Sequence, residues 1–350
     1  MTVEYYCWHK TLSFAADVTI VIASRGRGKT YGLRKQCVQD FIKDRSTFVE
    51  ICRFKSEIRP VMDGYFSRLS DEFPEYIFKT EKQKGYIAEK PLDDEKPVWS
   101  VICYFLALTD SQNAKKRTYN NVRRIIFDEA ILESYDRHHN YLSREYQKLA
   151  NVVDTVTRER SESKIKPHLY LLGNSVDLLN PYFINLGINK MPEFGFRWYR
   201  NKSVLLHYED PGDYAEDKLA GTLSGRMIAG TAEGESAARN RFEEPDESLI
   251  ATKPKHAKFE LGFVSAGRNL GVWSDYVEGY YYVNNKIPKG TDRPIYYVTR
   301  SDASANLLAA RAASPWMHIL LDAHSISMIR YASAGCMHQF LDMLNMFGLR

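Results

Sequence analysis

The stretch VTIVIASRGRGKT, Val18 to Thr30, is a run of β-branched residues that breaks into glycine, arginine and lysine. The usual phosphate-loop signature sets a glycine four residues before Gly-Lys-Ser/Thr, and Ala23 stands at that first glycine's position. The chemistry asks for less than the full pattern: backbone N–H groups curled around phosphates, a lysine reaching the β- and γ-phosphates, and a hydroxyl for Mg²⁺. Gly26 and Gly28 can open the turn, with Arg25 and Arg27 beside them. Lys29 supplies the charge and Thr30 the hydroxyl. Val18 to Ile22 reads as a buried parallel strand, and Thr30 to Phe41 as a helix whose N-terminus points at the anion. An ordinary Gly-rich turn with basic residues shares these letters, so a second motif has to decide.

That motif is NNVRRIIFDEAILE, Asn120 to Glu133, where an apolar strand, Val122 to Phe127, runs into Asp128 and Glu129. Nucleotide hydrolysis needs one carboxylate on Mg²⁺ and another that orients or deprotonates the attacking water. Asp128 and Glu129 fit those roles in that order, although adjacent acids also occur as plain helix N-terminal charges. Two such motifs ending two strands of one sheet predict an ATP-hydrolysing core, with ATP and Mg²⁺ as its ligands. Further on, Tyr141 to Ser163 reads as a helix ending in Arg158 and Arg160. Either could reach a γ-phosphate bound by a neighbouring subunit, or simply compensate the helix C-terminus. A following strand ends at Asn174, whose amide could sense the γ-phosphate or hold the water.

Length and composition bound the rest. A chain of 350 residues suggests two domains, and 44% hydrophobic with 13% aromatic residues marks it as globular. Its longest apolar runs, around Val18–Ala23 and Val101–Leu108, fall far short of the roughly 18 residues of a membrane span. MTVEYYCWHK lacks the basic-then-apolar pattern of a signal peptide. Five scattered cysteines with no CxxC pair fit a reducing cytosol and neither a disulfide framework nor a zinc site. The net charge of +4 is mild, but residues 251–350 carry 11 Lys and Arg against 7 Asp and Glu, while the first 250 residues balance.

Apolar runs at Val18–Ile22, Thr47–Cys52, Ser100–Leu106, Val122–Phe127 and His168–Leu172 alternate with helical patterns. This predicts a parallel sheet with helices on both faces. Tyr76 to Trp99, around Lys84-Gly85 and Pro91, reads as an inserted hairpin. The expected division is an ATPase domain over 1–209, a Gly-, Ala- and Ser-rich bridging element over 210–248, and a mixed α and β domain over 249–350 that turns helical from Ser301 to Leu344. Arg53 and Lys55 after the second strand, and Lys115, Lys116 and Arg117 before the acidic motif, are candidate contacts to DNA phosphates or ordinary solvated charges.

The succession RGRGKT, EICRFKSEI, IIFDEAILE, DTVTRER, LLGNSVDLLNPYF and LGVWSDYVEG, from about Ile20 to Ser301, closely resembles the DNA-packaging motor ATPases of small, short-tailed, protein-primed phages. These are ring ATPases of the additional-strand, catalytic-glutamate class, related to the FtsK and HerA group. The resemblance implies a RecA/FtsK-like P-loop fold and a homo-oligomeric ring, with a pentamer as the expected form. It implies a motor seated on the portal of an empty capsid (prohead), driving double-stranded DNA inward and touching a structural packaging RNA. The implied location is the host cytoplasm, transiently at the capsid vertex, with no membrane. Two departures stand out: a longer insertion at Tyr86–Pro97 and a stronger basic run at Lys115–Arg117. Related motors carry a ribonuclease-H-like nuclease at the C-terminus. Asp275 here matches the start of that fold, but Asp292, Asp302, Asp322 and Asp342 lack strand-end context, so the expectation is an inactive, binding version. A ring DNA helicase would share both motifs and the arginine, and a nucleotide-gated binding protein is the non-enzymatic alternative.

Overall fold

The computed structural model describes residues 5–91, 95–132, 141–142, 144–158, 165–174, 180–188, 192–212, 221–228, 231, 247–265, 267–298 and 302–346. The chain divides into two compact units, residues 1–177 with 181–243, and 178–180 with 244–350.

The first unit opens with helix α1 (Trp8–Ser13), strand β1 (Val18–Ile22), helix α2 (Lys29–Asp44) and strand β2 (Thr47–Cys52). Two short helices, α3 (Ile58–Met62) and α4 (Ser67–Ser70), lead to the hairpin β3 (Tyr76–Glu81) and β4 (Lys84–Glu89). Then come β5 (Ser100–Ala107), α5 (Ser111–Ala114), β6 (Val122–Ile131), α6 (Glu145–Thr157), β7 (His168–Gly173), α7 (Pro181–Leu186), β8 (Gly195–Tyr199) and β9 (Val204–Tyr208). The nine strands form one sheet in the order β3-β4-β5-β2-β6-β7-β1-β9-β8. The six central strands are parallel, and an antiparallel strand or hairpin closes each edge. β7 lies between β1 and β6, as the additional-strand class requires.

Alternation of side chains along the strands places an apolar layer on each face. Val21, Ala23, Ile126, Tyr170 and Leu172 share a core with Leu33, Cys37, Val38 and Phe41 of α2. On β6 the neighbouring Phe127 meets the Tyr182 ring of α7, and α6 contributes buried Leu149, Val152 and Val156. The inserted hairpin is present, but its turn is Lys82-Gln83, both residues with left-handed φ (47° and 62°). Gly85 sits inside β4 opposite Thr80, where a Cβ would lie 2.8 Å from the Phe66 ring. The glycine that reads as a turn residue is there for close packing.

The described part of 210–248 includes a six-residue helix, α8 (Leu223–Ile228), with Leu223 and Met227 exposed. In the second unit β10 (Lys258–Ser265), β11 (Arg268–Asp275), β12 (Tyr280–Asn284), β13 (Ile295–Tyr297), β14 (Leu308–Ala309) and β15 (Ile329–Tyr331) form a sheet ordered β14-β13-β10-β11-β12-β15. Three antiparallel strands are followed by two more added in parallel on the far side of the first, the ribonuclease-H-like order, with β15 added beside β12. Helices α9 (Ser314–Ser325) and α10 (Ala334–Met346) cover its core with Met317, Leu320, Phe340 and Met343 against Leu261, Phe263 and Val272. Residues 301–344 are therefore not wholly helical. Ile329 and Tyr331, both fully buried, mark a strand too short for its period to show beside two helical patterns.

Candidate nucleotide site

β1 delivers the chain into the loop at residues 23–28, and α2 receives it. Gly26 (φ 92°) and Gly28 (φ 70°) adopt the left-handed backbone that glycine takes without strain, whereas Ala23 does not, so a methyl group is tolerated there. A side chain at Gly28 would also meet the Tyr5 ring at 2.7 Å. Gly28 is the N-cap of α2 and makes no side-chain cap. The first amides of the helix are thus available to an anion, reinforced by the helix dipole.

A cavity of about 860 Å³ collects Arg25, Gly26, Gly28, Lys29, Thr30, Asp128, Glu129 and Asn174. Lys29 Nζ lies 2.7 Å from Asn174 Oδ1 and 3.1 Å from the Ala23 carbonyl oxygen, donating to both. Burial pushes the Lys29 ammonium below its usual range, and the carboxylates of Asp128, Glu209 and Glu129 work against that shift. β6 extends through the acids rather than ending before them, with its register against β7 broken between Phe127 and Ile131. Within that break Glu129 has a left-handed φ of 50°, and its amide donates to Asp128 Oδ1 at 3.0 Å. Strained backbone of this kind persists only where neighbours hold it.

Arg53 is the holder. Its guanidinium donates through Nη2 to the carbonyl oxygens of Glu129 (3.2 Å) and Ala130 (2.9 Å), and through Nε to both oxygens of Glu145. Tyr182 donates its hydroxyl to the same carboxylate. Arg53 is only 5% exposed, which corrects its assignment as a DNA contact: the Arg-Phe-Lys run leaves the strand with its first cation turned inward. Lys55 is exposed and pairs with Asp110 at 3.2 Å. Lys115 and Lys116 are exposed, while Arg117 lines a different cavity.

Arg27 departs from expectation as well. It does not line the cavity, and its Nη2 lies 2.7 Å from Glu209 just past β9, both side chains being 10% exposed. The two are 182 residues apart, so no local pattern could have signalled the pair. Nearby, the Tyr6 hydroxyl bridges Thr11 and His207 Nδ1, at 2.7 and 2.6 Å. Arg34, which lines the cavity, donates to Glu50 at 2.6 Å, and the Tyr65 hydroxyl donates to that carboxylate's other oxygen. Glu50 does leave a trace in the letters, as the lone charge of the apolar run TFVEIC.

Arg158 caps α6 at the end remote from Glu145, is exposed, pairs with Asp154 at 2.5 Å and does not line the cavity. Arg160 lies outside the described residues. In the second unit Asp275 is buried; burial opposes its charge, but the Val277 and Glu278 amides and His256 hold its carboxyl below the usual range. Asp302 accepts from the Gly267 amide. Among the described residues no three His, Cys, Asp or Glu side chains gather as a metal site.

The sequence pattern of the podovirus DNA encapsidation protein (Gp16) family covers residues 2–344. The chain belongs to that family. It is 30% identical over 304 residues to the DNA packaging protein of Bacillus phage phi29, covering 87% of this chain and 85% of that one. It resembles the N-terminal domain of the DNA packaging ATPase from bacteriophage phi29 at 28% identity and a TM-score of 0.50, over 60% of this chain and 98% of that one. The fold extends along a chain of the phi29 viral genome packaging motor assembly, with a TM-score of 0.65 at 24% identity, covering 97% and 99% of the two. This Gp16-family chain is thus a phage DNA-packaging protein whose first unit has the fold of a packaging ATPase.

Proposed function

We propose that this chain hydrolyses ATP at the cavity between α2 and β6 and couples the reaction to the movement of double-stranded DNA into a preformed capsid. What supports the reading is the convergence of the loop at Gly26–Thr30 with Asp128, Glu129 and Asn174 on one cavity. The amides at the start of α2 and Lys29 would bind the phosphates, with Arg25 at the rim. Thr30 and Asp128 form a hard-oxygen pair suited to Mg²⁺, which when bound neutralises charge on the β- and γ-phosphates. Glu129 accepts a proton from the water that attacks the γ-phosphorus, giving ADP and inorganic phosphate. Asn174 holds that water or reports the γ-phosphate to Lys29, its hydrogen-bond partner. Arg158 then serves a neighbouring subunit, since α6 carries it roughly 20 Å along its axis from Glu145.

The remaining parts of the reading follow family membership. The chain works as a ring, a pentamer in our reading, on the portal of a prohead in the host cytoplasm, with a structural packaging RNA as a docking partner. The 249–350 domain is a ribonuclease-H-like binding module without nuclease activity. Lys55, Lys115, Lys116 and Arg117 are the remaining candidates for DNA contact near the ATPase core. Lys29→Ala tests the site: it is expected to lose most ATP affinity and all DNA-stimulated turnover, because a charge directly on the phosphates is removed. Unchanged binding and turnover in that variant would overturn the reading.

A further inference from the structure

The parallel strands have two ends, and the nucleotide cavity uses only one. At the other, where β2, β5 and β6 begin, a second cavity of about 880 Å³ is lined by Arg45, Lys82, Lys84 and Arg117 and by no carboxylate among the described residues. A six-residue strand at about 3.3 Å per residue separates the two by roughly 20 Å. Lys82 pairs with its neighbour Glu81, both well exposed, whereas Arg45, Lys84 and Arg117 form no ion pair with a described residue. Of the acids around them, Asp44 is committed to Arg123, Asp40 to Arg124 and Asp110, which also feels Arg117, to Lys55, while Arg45 also lines a neighbouring cavity with Glu89 and Glu95. Thr118 and Asn120 add polar groups to the wall. Exposed Lys115 and Lys116 continue the positive charge along the chain leading to Arg117.

We infer that this cavity is a second anion site, which binds the phosphodiester backbone of a nucleic acid. A strip of cations that extends beyond the cavity suits a repeating polyanion better than a single small one. Such contacts release counterions, so each phosphate neutralised adds about 0.9 to the salt slope for duplex DNA and about 0.7 for single strands. The inference does not rest on any role of Glu129 or Arg158.

The test uses the full chain carrying Arg45→Gln, Lys84→Gln and Arg117→Gln together, titrated across salt with a short mixed-sequence DNA duplex and with a folded RNA hairpin. The expected result is a salt slope lower by about 2 to 3 and at least a tenfold loss of affinity at low salt for one of the two probes. Affinity for an ATP analogue at the opposite strand ends should match the parent's. Whichever probe shows the loss identifies the nucleic acid. The charge-conserving triple Arg45→Lys, Lys84→Arg, Arg117→Lys should keep the parent slope. An unchanged slope for both probes in the Gln triple, or an equal loss in the charge-conserving one, would overturn the inference while leaving the ATPase reading intact. A parent chain that binds neither probe would overturn the inference and the proposed coupling to DNA, while ATP hydrolysis itself is tested by Lys29→Ala.

Discussion

Single residues carry three consequences that differ from what their letters suggest. Arg53→Ala should destabilise the first unit by about 3–5 kcal/mol in urea unfolding, because it strands the Glu145 carboxylate, whose side chain has no exposure, without its cation. A DNA-salt slope that falls while stability stays at the parent's value would contradict that placement and return Arg53 to the DNA. Arg27→Ala should cost a similar amount through Glu209, with a loss of ATP affinity that follows from a loosened loop. His207 gives a pH signature: burial, aided by Lys10, lowers its imidazole to about 4. Between the ordinary value of about 6.5 and about 4, the unfolded chain takes up a proton that the folded chain refuses. Stability should therefore decline as pH falls through that window and be independent of this group above it. The measurement is the urea midpoint at several pH values in the parent and in His207→Gln; identical slopes in the two would rule the contribution out.

Among elements, α6 links two parts of the proposed machinery. Its first residue, Glu145, is tied through Arg53 to the backbone of Glu129, and its last turn leads into Arg158. If Arg158 acts on a neighbour's nucleotide, Arg158→Ala should bind ATP normally yet lose roughly 10³- to 10⁵-fold in turnover, about 4–7 kcal/mol. Mixing Arg158→Ala with Glu129→Gln subunits should restore part of the activity, since an intact site can then receive an intact arginine. No recovery in rings shown to contain both subunits would make Arg158 a helix-end charge. The elements themselves were largely legible: β1 and β2 carry mostly apolar runs, β2 with Glu50 as its single charge, whose limits match the structure, because a strand covered on both faces has no polar side to blur it. The glycines at 26 and 28 announced their own turn. Long-range pairs such as Arg27 with Glu209 were not legible, because only the fold brings them together. Nor was the inward turn of Arg53, since a cation after a strand reads alike whether it meets solvent or a buried acid. The strand at Ile329–Tyr331 was lost for lack of length.

At the scale of the whole molecule, the sheet offers a nucleotide cavity at one end of its strands and a basic cavity at the other, and residues 251–350 carry all of the formal charge excess. A packaging motor needs both kinds of site, one to consume ATP and one to grip a polyanion. The central claim is that hydrolysis at Glu129 drives DNA into the capsid. The most direct measurement is the amount of double-stranded DNA made nuclease-resistant inside portal-bearing capsids, with ATP, by the parent chain and by Glu129→Gln at matched ATP occupancy. The expected result is protected DNA with the parent and none with Glu129→Gln, which binds ATP but cannot accept the water's proton. DNA protected equally by both chains, or by neither while the parent hydrolyses ATP on those capsids, would contradict the account.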